Sequence, residues 1–125
     1  MALTATEQPE RRAVERLLAE VPRFSESESL LLLDDEDREV PGLVFSAFAS
    51  FLLFEQRRIP AGESSIAIDA GLALLEEFAS SDDDTLHNLL VTEVFENWDE
   101  GTESTSLRGQ LGEHASALHR RWIDD

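Results

Sequence analysis

Cysteine, lysine and tyrosine are all absent from this chain of 125 residues. Without cysteine the protein forms no disulfide, no thiolate zinc site and no cysteine nucleophile. The chain also lacks an apolar run of about eighteen residues, the length that crosses a membrane, and it has no basic and apolar leader. We therefore expect a soluble, cytoplasmic protein with no membrane partner.

Negative charge is the most prominent feature of what remains. The chain has 27 acidic residues and 10 basic ones, all of them arginine, so its net charge is −17. The segment from Ile59 to Leu107 holds twelve of the acidic residues and no arginine. Such a surface repels nucleic acid and anionic membranes. The charge predicts a basic protein as the partner, with an acidic face that is merely solvated as the alternative.

The spacing of apolar residues indicates helices. A hydrophobic content of 42% in 125 residues suffices for one core but not for two, so residues 1–125 are predicted to form one domain. No stretch alternates between apolar and polar residues over a useful length. We predict an all-α fold, a single compact domain of four to five helices with a central apolar helix and an antiparallel helix pair.

The central helix is predicted from Leu43 to Phe54, after Pro41 in a favoured first-turn position. Almost every residue in this range is apolar, which is typical of a helix at the centre of a bundle. The residues expected at the centre of the core are Phe45, Phe48, Phe51 and Leu52.

One helix and one loop are predicted before the central helix. The first helix begins near Thr6, with Pro9 in its first turn, and ends at Pro22. Residues 25–39 are expected to form a polar, acidic loop that is interrupted by Leu30 to Leu33. Periodicity leaves open whether these four leucines form a short strand or a buried helical turn.

Two helices of similar length, joined by a short acidic link, are predicted after the central helix. The third helix spans Ser64 to about Ser80. Ser80 to Asp84 form a short break, one of whose acids caps the fourth helix, and this helix runs to about Trp98. Gly71 is tolerable in the third helix if it permits close helix packing. A last helix follows Gly112, with Ala115, Leu118 and Trp122 directed inward.

Glu93 is the acid that a helical wheel places among apolar residues. In an uninterrupted α-helix, its side chain falls between Leu89 and Leu90. A carboxylate in such a place needs a partner or a raised pKa. Two interpretations stay open. Either Glu93 pairs with an arginine of the last helix or bonds a helix terminus, or it awaits a basic side chain of a partner protein.

No residue pattern indicates catalysis or a bound metal. His114 and His119 are five residues apart, so they do not share a helix face as a metal-binding pair does. These two and His87 are all expected on the surface. The acidic run from Asp34 to Asp37 is expected to be solvated. Fingerprints of hydrolases and nucleotide-binding proteins are missing, so we predict no catalytic residue, no cofactor, no metal and no enzymatic activity.

Four segments carry a resemblance to a known family. They are VPRF after the first helix, VPGLVFSAFASFL, ALLEEFASSDDDTLHNLLVTEVFENW and LGEHASALHRRWID. In the order of these segments, over most of its length, the chain resembles a family of small bacterial helical proteins of unknown function. Some such proteins are suspected to be immunity proteins that neutralise secreted toxins. The resemblance carries over no functional residue, and the run of four leucines and the lack of lysine depart from it.

Charge and resemblance together predict a non-enzymatic protein-binding module with an acidic face. Its most specific form is an immunity protein for a basic toxin such as a nuclease, whose cationic groove an acidic inhibitor complements. The residues predicted to bind the partner are Asp82, Asp83, Asp84, Glu93, Glu96, Asp99, Glu100 and Glu103. The alternative is a structural or assembly protein that forms a homodimer, so the sequence leaves open whether the protein is a monomer or a homodimer.

The uneven charge predicts that moderate salt stabilises the protein. Acids without a counter-charge in their own segment repel one another, and ~0.15 M salt shortens the Debye length to about 8 Å. We expect the melting temperature, followed by circular dichroism, to be higher in such salt than in dilute buffer. A melting temperature that falls on adding salt would show that attractive arginine–carboxylate pairs outweigh the repulsion.

Overall fold

The structure is a computed structural model that describes residues 9–60, 63–98 and 102–124. Its α-helices are Pro9–Glu20 (α1), Pro22–Ser25 (α2), Glu28–Leu31 (α3), Pro41–Arg57 (α4), Ile66–Ser80 (α5), Asp84–Leu89 (α6), Thr102–Gly109 (α7) and Glu113–Asp124 (α8). A π-helical stretch, Leu90–Val94, continues α6, and 3₁₀ turns span Asp37–Glu39 and Phe95–Asn97. No β-strand occurs in the described residues, which confirms the all-α fold. The predicted cap Thr6 lies outside them.

The prediction of four to five helices is wrong, because short helices occupy segments that the sequence marks as loops or turns. Residues 25–39 contain α3 and a 3₁₀ turn, and α7 forms between the fourth and the last predicted helix, where no helix is predicted. α3 is a single turn whose N-cap, Ser27, accepts a hydrogen bond from the backbone N–H of Leu30 (3.3 Å). One turn is too short for hydrophobic periodicity to detect.

The four consecutive leucines form the end of α3 and the chain that leaves it. Leu30 is buried, whereas Leu31 and Leu32 are 62% and 84% exposed. Leu33 is partly buried against the core. Neighbouring side chains on a helical turn point in different directions, so this run is neither a strand nor a fully buried turn.

α4 is the central helix, as predicted. It contacts α1, α3, α5, α7 and the π-helical stretch, and it begins with Pro41 at a first-turn position, where the missing N–H leaves no bond unmade. The predicted core is confirmed, because Phe45, Phe48, Phe51 and Leu52 are all buried. Phe24 of α2 meets Phe48 edge-on, with ring centroids 4.9 Å apart. The helix is not buried all round, however, since Leu43 and Phe54 are 40% and 51% exposed.

Gly71 brings α5 close to α4. A Cβ built on Gly71 would lie 2.8 Å from Cζ of Phe48 and 3.1 Å from Cδ2 of Leu52. No larger residue fits there without moving a buried side chain. Gly71 therefore permits the close helix packing that would explain a glycine inside this helix. α5 itself begins at Ile66, slightly later than predicted, because Ser65 caps it by accepting a hydrogen bond from the N–H of Ile68 (3.2 Å).

The two helices after α4 follow each other as predicted, but they do not form a separate packing unit. Asp83 of the acidic link caps α6 by accepting a hydrogen bond from the N–H of Leu86 (3.1 Å). α5 makes its most extensive contact with α8, and the π-helical stretch packs mainly on α4. Ala115 and Leu118 of α8 are buried as predicted, and the side chain of Trp122 lies outside the described residues.

The fit of Phe48 against Gly71 can be tested by two substitutions. Phe48→Ala should lower the free energy of unfolding by about 3–5 kcal/mol, because it opens a cavity in a site with no exposed surface. Gly71→Ala should lower it by about 1–3 kcal/mol, because the added methyl group overpacks the contact. Urea denaturation followed by circular dichroism measures both.

The double variant distinguishes a direct contact from two independent effects. With Phe48 reduced to alanine, Gly71→Ala should cost much less, because the ring is gone and alanine is a better helix former by about 1 kcal/mol. Strictly additive effects would contradict the contact.

Candidate functional site

The predicted binding acids occupy separate places on the described surface. Asp82, Asp83 and Asp84 lie between α5 and α6 or at its start, Glu93 and Glu96 lie in and after the π-helical stretch, and Glu103 lies in α7. Asp99 and Glu100 lie outside the described residues. The three aspartates therefore lie at the start of the helical run from Asp84 to Asn97, and Glu93 and Glu96 lie near its end.

The length of α4 separates Glu93 from Glu103. The Glu93 carboxylate lies beside Gly42 in the first turn of α4, with Oε2 3.4 Å from a Cβ built on that glycine. Glu103 pairs with Arg57 in the last turn of α4, with Oε1 and Nη2 3.7 Å apart. At about 1.5 Å of rise per residue, the helix keeps these two acids roughly 20 Å apart. The structure therefore does not gather all the predicted acids into one patch.

Glu93 lies on the π-helical stretch, which changes the wheel assumed from the sequence. A π turn closes on residue i+5 rather than i+4, so the side chains are displaced around the axis. Glu93 is half-buried and accepts a hydrogen bond of 3.5 Å from the Thr92 hydroxyl. Because Val40 caps α4 without a side-chain acceptor, the carboxylate supplies negative charge at that helix N-terminus. The carboxylate lies beside that terminus, and no described arginine pairs with it. Both interpretations of Glu93 therefore stay predictions.

Three of the predicted acids are exposed and remain available to a partner. Asp82, Asp84 and Glu96 have exposed side chains, and none of them forms an ion pair with another described residue. Asp83 is half-buried by its capping role. Some of the predicted acids therefore cap a helix or form an ion pair within the fold, and others are exposed to solvent without an ion pair.

The arginine-free segment receives counter-charges from outside itself. Arg16 of α1 pairs through two nitrogens with Glu77 of α5, and its Nη2 donates to Oε1 at 3.1 Å. Hydrogen bonding between the two side chains raises the pKa of Arg16 and lowers that of Glu77. Some acids of this segment therefore have a counter-charge in the folded chain, although their own segment contains no arginine. Glu103 is another example, because it pairs with Arg57 of α4.

Glu76 of α5 caps the N-terminus of α8. Its carboxylate accepts hydrogen bonds from the backbone N–H groups of His114 and Ala115, both at 2.9 Å, and lies 2.6 Å from Nδ1 of His114. Burial alone would raise the pKa of Glu76, but these hydrogen bonds outweigh it and lower the pKa. Sequence reasoning missed this cap because the acid comes from another helix.

The expectation that every histidine lies on the surface is wrong for His119. This residue is buried on the inner face of α8, edge-on to Phe95 with ring centroids 5.2 Å apart. Desolvation lowers the pKa of His119. His87 is half-buried, and its Nε2 lies 2.7 Å from the carbonyl oxygen of Ser81 at the end of α5. His114 is exposed and is held by Glu76.

The described residues contain neither a cluster that could hold a metal ion nor a helix that could span a membrane. Among residues 9–60, 63–98 and 102–124, no group of three or more His, Asp or Glu residues is placed to hold a metal ion. In the acidic run, Asp34 accepts a hydrogen bond from the N–H of Asp37 (2.8 Å). None of the described helices combines the length and the apolar character needed to cross a membrane.

An apolar groove opens between α3 and α4. It has a volume of about 370 Å³ and is lined by Ser29, Leu32, Leu33, Leu43, Ser46, Ala47, Ser50 and Phe54. The four residues Leu43, Ala47, Ser50 and Phe54 recur at helical spacing, so they form one stripe along α4. This groove was not predicted, because a helix apolar nearly all round is expected to be buried on every side.

Two acids lie on the π-helical run and the turn after it, which pack on α4 beside the groove, although neither acid lines the groove itself. Glu93 lies beside Gly42, at the end of the groove where α4 begins. The Asn97 side chain donates a hydrogen bond to the hydroxyl of Ser46 in the groove (3.0 Å). This bond places the turn that contains the exposed Glu96 beside the groove.

The segment that joins α3 to α4 is also acidic. It runs from Leu33 in the groove through the acids at 34–37 to Glu39, just before α4. Its one arginine, Arg38, donates hydrogen bonds to the carbonyl oxygens of Leu33 (3.2 Å) and Leu30 (3.3 Å). That side chain is therefore held against α3.

A second cavity of about 370 Å³ shares Phe54 with the groove and is lined by two arginines. Arg23 donates to both oxygens of the buried Glu55, through Nε at 3.1 Å and Nη2 at 2.8 Å. Arg58 donates to the same carboxylate at 3.3 Å. These hydrogen bonds are the main cause of the raised pKa of Arg23. Because both arginines satisfy one buried carboxylate, this cavity is a structural ion-pair site.

The cap on α8 predicts a pH dependence. The pKa of Glu76 is lower in the folded chain than its ordinary value of 4.5, so the ionised cap adds stability above that pH. This stability is lost as the pH falls through the folded-state pKa. Glu76→Gln should lower the free energy of unfolding at neutral pH by about 1–2 kcal/mol, and the difference from wild type should vanish in acid.

Glu113→Gln is the matched control for this prediction. Glu113 is exposed in the first turn of the same helix, so its neutralisation should change stability by less than about 0.5 kcal/mol. Urea denaturation from neutral to acid pH measures both variants. An equal and pH-independent loss in both would contradict the capping role of Glu76.

No protein-family model, no curated protein and no solved structure matches this chain. The resemblance to small bacterial helical proteins therefore stays a prediction, and the functional proposals rest on the geometry of the acids and the groove.

Proposed function

We propose that this protein is a non-enzymatic binding module whose exposed acids bind a basic protein. The observation that carries the proposal is that three of the predicted acids are exposed and form no ion pair in the described structure, on a chain of net charge −17. They are Asp82, Asp84 and Glu96. Glu76, Glu77 and Glu103, by contrast, already bind groups of the same chain.

Electrostatics explains why such a surface favours a basic partner. Exposed like charges repel one another and destabilise the compact state, and a surface of opposite charge removes part of that repulsion on binding. The same field draws the partner in, so the main effect of exposed acids is on the association rate. An acidic surface that serves solubility alone would have no preferred partner.

An immunity protein is the most specific form of this proposal. A nuclease toxin needs a cationic groove to hold the phosphate backbone of its substrate. A small acidic protein in that groove blocks it sterically and matches its charge. The size, the charge and the all-α fold of this chain support such a role.

Self-association is the second candidate, favoured by a different observation. Leu31, Leu32, Leu43 and Phe54 are large apolar residues with exposed side chains, and neighbouring exposed apolar residues mark interaction surfaces. A homodimer formed through them should strengthen with salt, because salt screens the repulsion between two acidic chains. Sedimentation equilibrium at low and high salt tests this candidate.

Capture of partners from the source organism at two salt concentrations tests the main proposal. The immobilised protein should retain a basic protein at low salt and release it at about 1 M salt, where the Debye length is about 3 Å. A triple variant, Asp82→Asn with Asp84→Asn and Glu96→Gln, should reduce the association rate about tenfold. Surface plasmon resonance with the captured partner measures this rate.

The control is a second triple variant that neutralises three acids at other positions, so that both variants have the same net charge. Glu15→Gln, Glu63→Gln and Glu113→Gln neutralise acids that are also exposed, and they should leave the association rate within about twofold. An equal effect of the two triple variants would show that total charge, rather than these residues, determines binding. Recovery of no basic protein at low salt would remove the proposal.

A further inference from the structure

We propose that the groove between α3 and α4 receives the apolar face of a basic amphipathic helix from the partner. This inference rests on the proposed function, and it names the element of the basic partner that the module binds. The exposed acids draw the partner in, and the groove holds one of its helices.

The dimensions of the groove suit a helix. Its stripe on α4 extends from Leu43 to Phe54, which at about 1.5 Å of rise per residue is roughly 16 Å, or three helical turns. An amphipathic helix of three turns presents apolar side chains at i, i+4, i+7 and i+11. This is the anchor pattern with which helices dock in apolar grooves.

The exposed side chains of the groove provide the surface that such a helix would cover. Leu32 stands on the α3 side, and Leu43 and Phe54 stand at the two ends of the α4 stripe. Ser46 and Ser50 lie between these ends. They are small enough to leave room for the side chains of an incoming helix.

The charge around the groove selects a basic occupant. No acid lines the groove, but acids lie next to residues that do. Glu93 lies beside Gly42 at the start of α4, and Glu96 precedes Asn97, which bonds Ser46. The acids at 34–37 follow Leu33 in the chain.

The nearby arginines are engaged within the fold, because Arg38 bonds carbonyl oxygens of the α3 segment and Arg23 and Arg58 bind Glu55. Arg57 lies over the ring of Phe54 at one end of the groove, 5.6 Å from its centroid, and pairs with Glu103. A second copy of this chain would bring the same acids to the groove, so charge disfavours it as the occupant.

A designed peptide tests the groove directly. The probe is a fluorescein-labelled helical peptide of leucine and lysine, with leucine at i, i+4, i+7 and i+11. One control peptide has the same composition in scrambled order, and another has glutamate in place of lysine. Fluorescence anisotropy with the full chain should show the first peptide binding at least about tenfold more tightly than either control.

Serine substitutions locate the binding. Leu32→Ser and Phe54→Ser, made separately, should each weaken binding of the leucine–lysine peptide at least about fivefold. Ile66→Ser is the control, because Ile66 is 89% exposed but does not line the groove. Chemical-shift mapping on the wild-type chain is independent of any variant, and it should show the largest amide shifts for Leu43, Ala47 and Ser50.

The outcomes separate the groove from the acidic module. Binding that the acid triple variant weakens and the serine variants leave unchanged would overturn the groove while leaving the proposed function standing. Equal binding of the lysine and glutamate peptides would overturn the basic occupant. A wild-type dimer that Leu32→Ser dissociates, with no peptide bound, would assign the groove to a second copy. Peptide binding in the groove without any basic protein captured at low salt would instead overturn the proposed function.

Discussion

The burial of α4 is the interaction on which the rest of this fold depends. Its phenylalanine rings reach both sides of the molecule, since Phe48 packs on Phe24 of α2 and Phe45 packs on Phe78 of α5. The indole N–H of Trp98 donates to the carbonyl oxygen of Ala49 (3.2 Å), which fastens the end of the π-helical run to the same helix. Short helices are marginal by themselves in water, so the neighbours of α4 gain their stability from packing on it.

Three arginines link one helix to another in the described structure. Arg16 joins α1 to α5, Arg23 joins α2 to the end of α4, and Arg57 joins α4 to α7. Exposed ion pairs of this kind contribute little individually, but each one gives one acid a counter-charge. The composition sets the net charge, and the fold therefore determines which acids have a counter-charge and which do not.

Features with a long or local signal were predictable from the sequence, and features made by tertiary contact were not. The apolar run of α4 and the capping acid before α6 stand in the sequence, so their positions were found. The cap that Glu76 places on α8 joins residues of two helices, and no local pattern reveals it. The groove could not be predicted for the same reason. Whether Leu43 and Phe54 are buried or exposed depends on where α3 packs against α4. The helical wheel for Glu93 assumed a regular α-helix, whereas the residues from Leu90 to Val94 are π-helical.

The π-helical stretch holds one residue more than a regular helix would need to connect α6 to the turn that follows. A π turn accommodates one residue more than an α turn. Deleting a single residue between Leu90 and Val94 would therefore let the run from Asp84 close as ordinary α-helix. Phe95 and Trp98, which are both buried, would keep nearly the same direction relative to α6, whereas a deletion from a regular α-helix turns every later side chain by about 100°. During divergence this stretch should therefore tolerate the loss of one residue better than the regular helix α4 does.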